Sequence, residues 1–177
     1  MIGRLLRSVR SDPARSPLNR PQLQAPQAIT VSSSAFADGA PMPRRHAGKG
    51  VGDDVSPELS WTAIPAAAGQ LVLILDDIDV PLRTPLVHSI AVLDPDADGL
   101  AAGHLSSEYV RIIPTMLAKT GYSGPRPIPG HGPHRYRFHL LALDHPVPPD
   151  IVTAKQLYRT AANHVIARGT LTGTYER

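Results

Sequence analysis

Apolar residues in the middle of this chain come in short, nearly continuous runs. Leu71–Leu75 is apolar throughout, Tyr136–Leu143 is largely so, and Leu86–Leu93 is interrupted only by His88 and Ser89. Such runs are typical of strands that are buried on both faces, because a strand with one solvated face alternates instead. Shorter strands are predicted at 29–31, 59–62 and 169–175. These patterns predict a mainly β domain of antiparallel strands.

One segment near the C-terminus has helical spacing. Thr153 and Gln156 are placed as in a capping box, and Gly169 is a residue type that ends helices. The apolar residues between them recur at three and four positions: Ala154, Leu157, Tyr158, Ala161, Val165 and Ile166. We therefore predict a C-terminal α-helix over about residues 153–168. Strands and helices do not alternate along the chain, which disfavours a parallel nucleotide-binding sheet.

Composition excludes several classes of protein. The 19 prolines and 14 glycines among 177 residues disfavour a helical bundle. The absence of cysteine excludes disulfides, thiol catalysis and thiolate metal sites. No stretch approaches the roughly 20 apolar residues of a membrane span, and the N-terminus lacks the apolar core of a secretory signal. We expect a cytoplasmic protein without a membrane span.

Charge divides the chain into two parts. Residues 1–28 hold five arginines and one aspartate, a net charge of +4, whereas the whole chain carries +3, which leaves −1 for residues 29–177. A nucleic-acid-binding face should lie on the folded domain, so we expect no nucleic-acid partner. The sequence predicts a basic, Pro/Arg-rich N-terminal extension over 1–28 and a domain over 29–177. The extension is expected to be a loosely ordered tail, draped on the domain or on a partner, with a functional basic arm as the alternative.

Ionisable residues occur where three predicted strands begin or end. Asp77 and Asp79 follow the run 71–75 at a spacing of two, which in extended chain directs both carboxylates to one side. His88 lies inside an apolar run, and a stiff loop of prolines and glycines delivers His134 and Tyr136 to the next strand. Taken singly, the aspartates also fit a solvated loop, and His88 also fits a core histidine bonded to a carbonyl. Together these residues predict a small polar cavity suited to an anion.

Several ordered motifs resemble the phosphatidylethanolamine-binding protein family, in particular its bacterial branch of Raf-kinase-inhibitor-like proteins. The motifs are Ser56–Trp61, Asp77–Pro81, His88, Gly124–Pro125 and His134–Tyr136, with Ala35–Gly39 and Gly169–Arg177 matching the two ends. The resemblance implies a β-sandwich of two antiparallel sheets with a C-terminal helix. It also implies a pocket for phosphate, acetate or a phosphorylated head group.

The resemblance assigns ligand-binding positions to this chain. They are Asp77, Asp79, His88, Gly124, Pro125, His134 and Tyr136. It implies no catalytic residue, metal or cofactor. Trp61 is expected in the core, and Arg135 is expected to brace the loop through a carboxylate.

The chain departs from the family pattern at four places. Ile78 and Ile128 stand where the family has proline, and Ser89 stands where it has tryptophan. Residues 104–121 lack the family's usual glycine- and asparagine-rich run, so we expect this segment to reshape the pocket entrance or to contact a partner.

Three functional hypotheses follow. The leading one is a small, non-catalytic binding protein for an anionic or phosphorylated ligand. The alternative is a hydrolase, metal-dependent or of the Ser/His/Asp type, that uses the same pocket; no Gly-x-Ser-x-Gly elbow or His-Glu-x-x-His motif supports it. The third is a regulatory protein that inhibits a kinase or protease partner. A homodimer is compatible with each.

Overall fold

The computed structural model describes residues 2–177 and contains two antiparallel sheets. The smaller sheet has the strand order β1 (Thr30–Ser32), β2 (Leu59–Thr62) and β5 (Gly99–Leu100). The larger sheet has the order β6 (Arg111–Ile112), β4 (Leu86–Leu93), β3 (Gln70–Asp77), β7 (His134–Leu143) and β8 (Val165–Tyr175). Two short helices, α1 (Ile2–Leu5) and α2 (Ala154–Thr160), complete the fold. The predicted β-sandwich is confirmed.

The continuous apolar runs belong to the central strands of the larger sheet. Leu71, Leu73 and Leu75 of β3 pack toward the smaller sheet, in a core that includes Phe138 and Trp61. The intervening residues of β3 pack on the opposite face. Both faces of the strand are covered, which explains why its sequence does not alternate. Trp61 is buried and its indole N–H donates to the Ala97 carbonyl, so its core position is confirmed.

The second face of the larger sheet is covered by α2 and by the N-terminal segment, residues 2–28. Leu157 and Tyr158 of α2 pack in one cluster with Leu18 and Leu23 of this segment. Both leucines are almost fully buried. The N-terminal segment is therefore draped on the domain and is not a loosely ordered tail.

Three successive 3₁₀ turns carry the N-terminal segment across the sheet. They span Pro13–Arg15, Pro17–Asn19 and Pro21–Leu23, each with proline at its first position. Proline fits there because its fixed φ suits the turn and the first N–H has no partner within it. The buried Arg168 of β8 donates to the Leu18 carbonyl at 3.2 Å and to the side chain of Gln24 at 3.0 Å, which attaches the turns to the sheet.

The predicted helix over 153–168 is too long. Thr153 does cap α2, since its hydroxyl accepts the Gln156 N–H, but the helix ends at Thr160. Asn163 has φ +67°, and β8 begins two residues later, so Gly169 lies inside a strand rather than at a helix end. The helix is therefore followed by the last strand and is not the C-terminal element. Among the described residues, no helix has the length and apolar character needed to cross a bilayer.

Candidate functional site

A cavity of about 270 Å³ opens at the end of the larger sheet where β3 stops, β4 begins and the loop before β7 arrives. Its polar lining residues are Asp77, His88, Ser123, Arg126, His134 and Tyr136, and its apolar ones include Val80, Leu82, Leu86, Leu117 and Ile128. Asp77, His88, His134 and Tyr136 come from strand ends, whereas Ser123, Arg126 and most of the apolar residues come from the surrounding loops. The cavity thus has a polar floor within an apolar rim.

Strand register brings Asp77 and Tyr136 together on the floor. They are directly opposite on β3 and β7, and His134 lies two residues before Tyr136 on the same face. Side chains two residues apart on a strand point to the same side, so β7 offers an imidazole and a phenol to one cavity.

A β-bulge turns His88 to this face. Leu75 pairs with Ser89, but the next residue, Asp76, pairs with Val87, so His88 has no partner on β3. Without the bulge His88 would be opposite Asp76 and would face away from Asp77. Bulges re-aim side chains in this manner. The His88 ring instead meets the Tyr136 ring edge-on at 5.4 Å between centroids.

Asp77 orients His134 through one oxygen and shapes the following turn through the other. The carboxylate Oδ2 lies 2.7 Å from His134 Nδ1, and Oδ1 accepts the Asp79 N–H at 2.8 Å. The second nitrogen of His134 lies 2.6 Å from Nδ1 of His131, which is fully buried. Both oxygens of Asp77 are therefore engaged with the protein itself.

Asp79 does not line the cavity, so the expectation that both carboxylates point to one side of it is wrong. The chain turns after Asp77, and Arg135 holds Asp79 through its Nε at 2.8 Å and its Nη2 at 2.9 Å. Burial raises the pKa of Asp79, but the hydrogen bonds and charge of Arg135 outweigh it and leave the pKa below its usual value. The predicted bracing role of Arg135 is confirmed.

The predicted loop residues have different positions. Gly124 lines the cavity, and a Cβ there would overlap the His46 carbonyl oxygen, so this position requires glycine. Pro125 is not part of the lining; its carbonyl accepts the Gly48 N–H at 2.8 Å. The two residues together attach the loop to the 46–48 turn.

Ser89 and Ser123 fix the tautomer of His88. The Ser89 hydroxyl accepts the Ser123 N–H at 3.1 Å, and the Ser123 carbonyl lies 2.9 Å from His88 Nδ1. A carbonyl only accepts, so Nδ1 carries the proton and Nε2 offers a lone pair. Burial lowers the pKa of His88, although the Ser123 carbonyl opposes this, so the ring is neutral at pH 7. Ser89 is not part of the cavity lining; its side chain holds the loop at Ser123.

Sequence reasoning missed two contributors to the site. His131 is buried behind the cavity wall, where it contacts His134. Leu117 comes from the atypical 104–121 segment and lies at the cavity mouth, where it is 39% exposed. The spacing of three between His131 and His134 was the available signal, but only the folded loop shows that the rings meet.

A second group of histidines lies at the opposite end of β7. The carboxylate Oδ1 of Asp144 lies 2.9 Å from Nδ1 of His145 and 2.9 Å from Nδ1 of His164, and potential ligand atoms of all three residues lie within 4.8 Å of one another. These exposed groups could hold a metal ion. They are not part of the cavity at the β3 end.

Comparisons with known proteins agree with the fold. The phosphatidylethanolamine-binding protein family matches residues 32–176. A UPF0098 protein of Mycobacterium bovis is 35% identical over 157 residues, which cover 88% of this chain and 74% of the relative. The structure of a PEBP homologue from Chlamydia trachomatis is 33% identical with a TM-score of 0.75, covering 85% of this chain and 99% of that one. Escherichia coli YbcL, 20% identical with a TM-score of 0.72 over 85% of this chain and 99% of its own, shares the fold.

Proposed function

The chain belongs to the phosphatidylethanolamine-binding protein family, and on that premise we propose that its cavity binds phosphate or the phosphoryl group of a small ester without catalysing a reaction. The family relationship supports a binding protein in general terms. The finer proposal rests on the polar groups of the cavity floor.

Two buried polar atoms on the floor carry the proposal. Nε2 of His88 and the hydroxyl of Tyr136 make no hydrogen bond of good geometry within residues 2–177, although the Asp77 carboxylate and the Arg126 N–H lie near the hydroxyl, and both side chains line the cavity. Buried polar atoms are normally paired, because leaving one unpaired costs about 1–3 kcal/mol. Two buried polar atoms without a good hydrogen bond beside one cavity support the binding of a polar ligand there.

The protonation states of these atoms define the ligand. Burial and the neighbouring charge of Asp77 raise the pKa of Tyr136, so its hydroxyl is a donor at neutral pH. Nε2 of His88 is an acceptor. A ligand must therefore accept from Tyr136 and donate to His88, and a singly protonated phosphate group does both. The apolar rim leaves space for a short organic substituent.

The arrangement favours binding over hydrolysis. In a Ser/His/Asp triad, the imidazole nitrogen remote from the aspartate contacts the nucleophile. Here Asp77 and His134 form the first contact of a triad, but the remote nitrogen of His134 meets His131 at 2.6 Å instead of a hydroxyl. This supports a structural role for the Asp77–His134 pair.

Calorimetric titration with inorganic phosphate and with phosphoethanolamine tests the proposal. We expect saturable binding by the wild type, loss of binding in His134→Ala, and about tenfold weaker binding in Tyr136→Phe, since a hydrogen bond to a charged group contributes about 1.5–3 kcal/mol. Tyr109→Phe is the matched control because Tyr109 is exposed and stacks on His104 away from the lining. A wild type that binds neither compound would contradict the proposal and direct attention to a protein partner.

Affinity for phosphate is expected to fall as pH rises from about 5 to about 8. Burial lowers the pKa of His88, so its Nε2 has no proton in the free protein, and the bound anion requires one proton between itself and Nε2, carried by the phosphate or by the ring. Binding therefore takes up protons, and linkage requires weaker binding at higher pH. Titrations in buffers of different ionisation enthalpy would measure the uptake. An affinity independent of pH across this range would contradict the expectation.

A further inference from the structure

The N-terminal segment contacts both loops that frame the cavity, although it lies before residue 32, where the family match begins. Gly3 of α1 is buried against the Pro129 carbonyl, with no room for a Cβ. The Ser11 hydroxyl donates to the Ile78 carbonyl at 2.6 Å. The segment thus connects the loop after β3 to the loop before β7.

Arg10 makes most of this connection. Its guanidinium donates to the carbonyls of Asp79 at 3.1 Å, Pro133 at 3.3 Å and His131 at 3.0 Å. Its Nη1 also lies 3.3 Å from Nδ1 of His131 and 4.0 Å from a carboxylate oxygen of Asp79. One side chain of the segment therefore reaches the buried histidine behind the cavity wall.

These contacts fix the position of each proton on the two histidines. The Val9 carbonyl lies 3.1 Å from Nε2 of His131, and a carbonyl only accepts, so this nitrogen carries a proton. Arg10 only donates, and the two N–H bonds of its Nη1 are shared among the Asp79 carbonyl, the Pro133 carbonyl and Nδ1 of His131, so the last contact uses a lone pair on Nδ1. The proton in the 2.6 Å contact between the rings therefore belongs to Nε2 of His134. With Nδ1 of His134 donating to Asp77 as well, this assignment of hydrogen bonds gives the His134 ring two protons and a positive charge.

We infer that the N-terminal segment is a strap that places a positive charge on His134 in the cavity wall, with Val9 and Arg10 as positioning residues for anion binding. The effect on binding rests on the proposed function. Asp77 and Asp79 are the negative groups around the cavity, and His134, Arg10, Arg135 and Arg126 are the positive ones, while His88 and Tyr136 are neutral. With His134 protonated these groups carry a net charge of +2, which suits an anion.

The test compares Arg10→Ala with Arg7→Ala in the full chain. Arg7 lies beside Gly132 of the same loop and makes none of the Arg10 hydrogen bonds within the described chain, so it is a charge-matched control. We expect about tenfold weaker binding of inorganic phosphate in Arg10→Ala and less than a twofold change in Arg7→Ala. Arg10→Lys keeps the charge but loses the forked contacts, so its affinity for phosphate is expected to lie between those of the two alanine variants. It replaces Arg10→Ala in the comparison if that variant does not fold.

Nitrogen-15 NMR of the histidine rings without phosphate separates this inference from the proposed function. We expect both ring nitrogens of His134 to be protonated in the wild type and in Arg7→Ala, and Nε2 to lose its proton signature in Arg10→Ala. A wild type that bound no phosphate, together with the expected protonation change at His134 in Arg10→Ala, would contradict the proposed function and support the strap. If both ring nitrogens of His134 stayed protonated in Arg10→Ala and in Arg10→Lys, the inference about the strap would be overturned, even if phosphate bound.

Discussion

Asp76 and Asp77 are neighbours on β3, yet they serve different purposes because adjacent side chains of a strand face opposite ways. Asp77 faces the cavity. Asp76 lies on the other face, where Arg137 donates to it through Nε at 2.9 Å and Nη2 at 2.6 Å, and Nε2 of His139 lies 3.3 Å away. Burial raises the pKa of Asp76, but His139 and Arg137 together lower it by more than burial raises it. The net pKa is below the usual value, so the carboxylate stays ionised inside the protein.

We expect Asp76→Asn to lower the free energy of unfolding by about 3 kcal/mol, since it leaves the largely buried Arg137 without its counter-charge. Urea denaturation at pH 7 would measure this. The exposed pair of Asp12 and Arg15 provides the control, because breaking it by Asp12→Asn should cost less than about 1 kcal/mol. Equal losses in the two variants would show that Asp76 is not a structural ion pair.

For a single residue, the sequence indicates which chemistry the side chain offers better than it indicates which way the side chain points. The placements of Asp77, His134 and Tyr136 followed from their positions at strand ends. Asp79 was misplaced because the turn begins one residue after Asp77 and Arg135 captures the second carboxylate. His88 reaches the cavity only through a bulge, and no feature of residues 86–90 reveals where a register shift occurs.

Two glycines of the last strand, β8, have no room for a side chain because other parts of the chain pack closely against them. Gly169 of β8 lies against the backbone carbonyl of Ile29, and Gly173, four residues on, lies against the side chains of Met42 and Phe36. A Cβ would overlap these neighbours at either position, but only the side chains beside Gly173 can rotate away. β8 therefore holds the chain before β1 through one glycine and packs on the core through the other.

Gly169→Ala is expected to lower the free energy of unfolding by about 3 kcal/mol, and Gly173→Ala by about 1 kcal/mol, because backbone yields less than side chains to an added methyl group. Thermal and urea unfolding of both variants would measure the difference. The same substitution on the same strand cancels most effects of intrinsic strand preference. A larger loss at Gly173 would mean that Met42 and Phe36 are more rigid than the Ile29 backbone.

The boundary between helix and strand after residue 160 shows where element prediction fails. Ala161, Val165 and Ile166 continue the helical spacing of α2, and the sequence alone gives no reason to stop. The helix ends because Asn163 adopts φ +67° and its N–H donates to the Gln22 carbonyl at 2.6 Å, which leads the chain into pairing with β7. Those partners are distant in sequence, so local spacing cannot predict them.

For the whole molecule, the sandwich was predictable because its central strands are buried on both faces, which is a local signal. The packing of the N-terminal segment against the domain was not predictable from the sequence. Its arginine and proline content is typical of an exposed tail, yet Leu18 and Leu23 fill the second core and Arg168 binds the backbone around them. Only two leucines distinguish this segment from a solvated one, and their partners lie on β8 and α2.

Acid is expected to destabilise the whole molecule in a range set by three of its buried histidines, whose rings burial keeps neutral. Burial lowers the pKa of His88 and of His139, and also that of His46, so the folded protein keeps these rings neutral. In the unfolded chain each titrates near its ordinary value of about 6.5. Below that pH the unfolded state binds more protons than the folded state, so stability falls as pH falls until the folded pKa is reached.

The free energy of unfolding should therefore decrease between about pH 6.5 and pH 5, by up to about 1.4 kcal/mol per pH unit for each such histidine, before most carboxylates are protonated. Urea denaturation at several pH values would give the slope. His139→Gln keeps an amide donor for Asp76 but cannot titrate, so it should reduce the slope, whereas His104→Gln, at a ring stacked on Tyr109, should leave it unchanged. A wild type whose stability is constant from pH 7.5 to pH 5 would show that the buried rings accept protons without opening the fold.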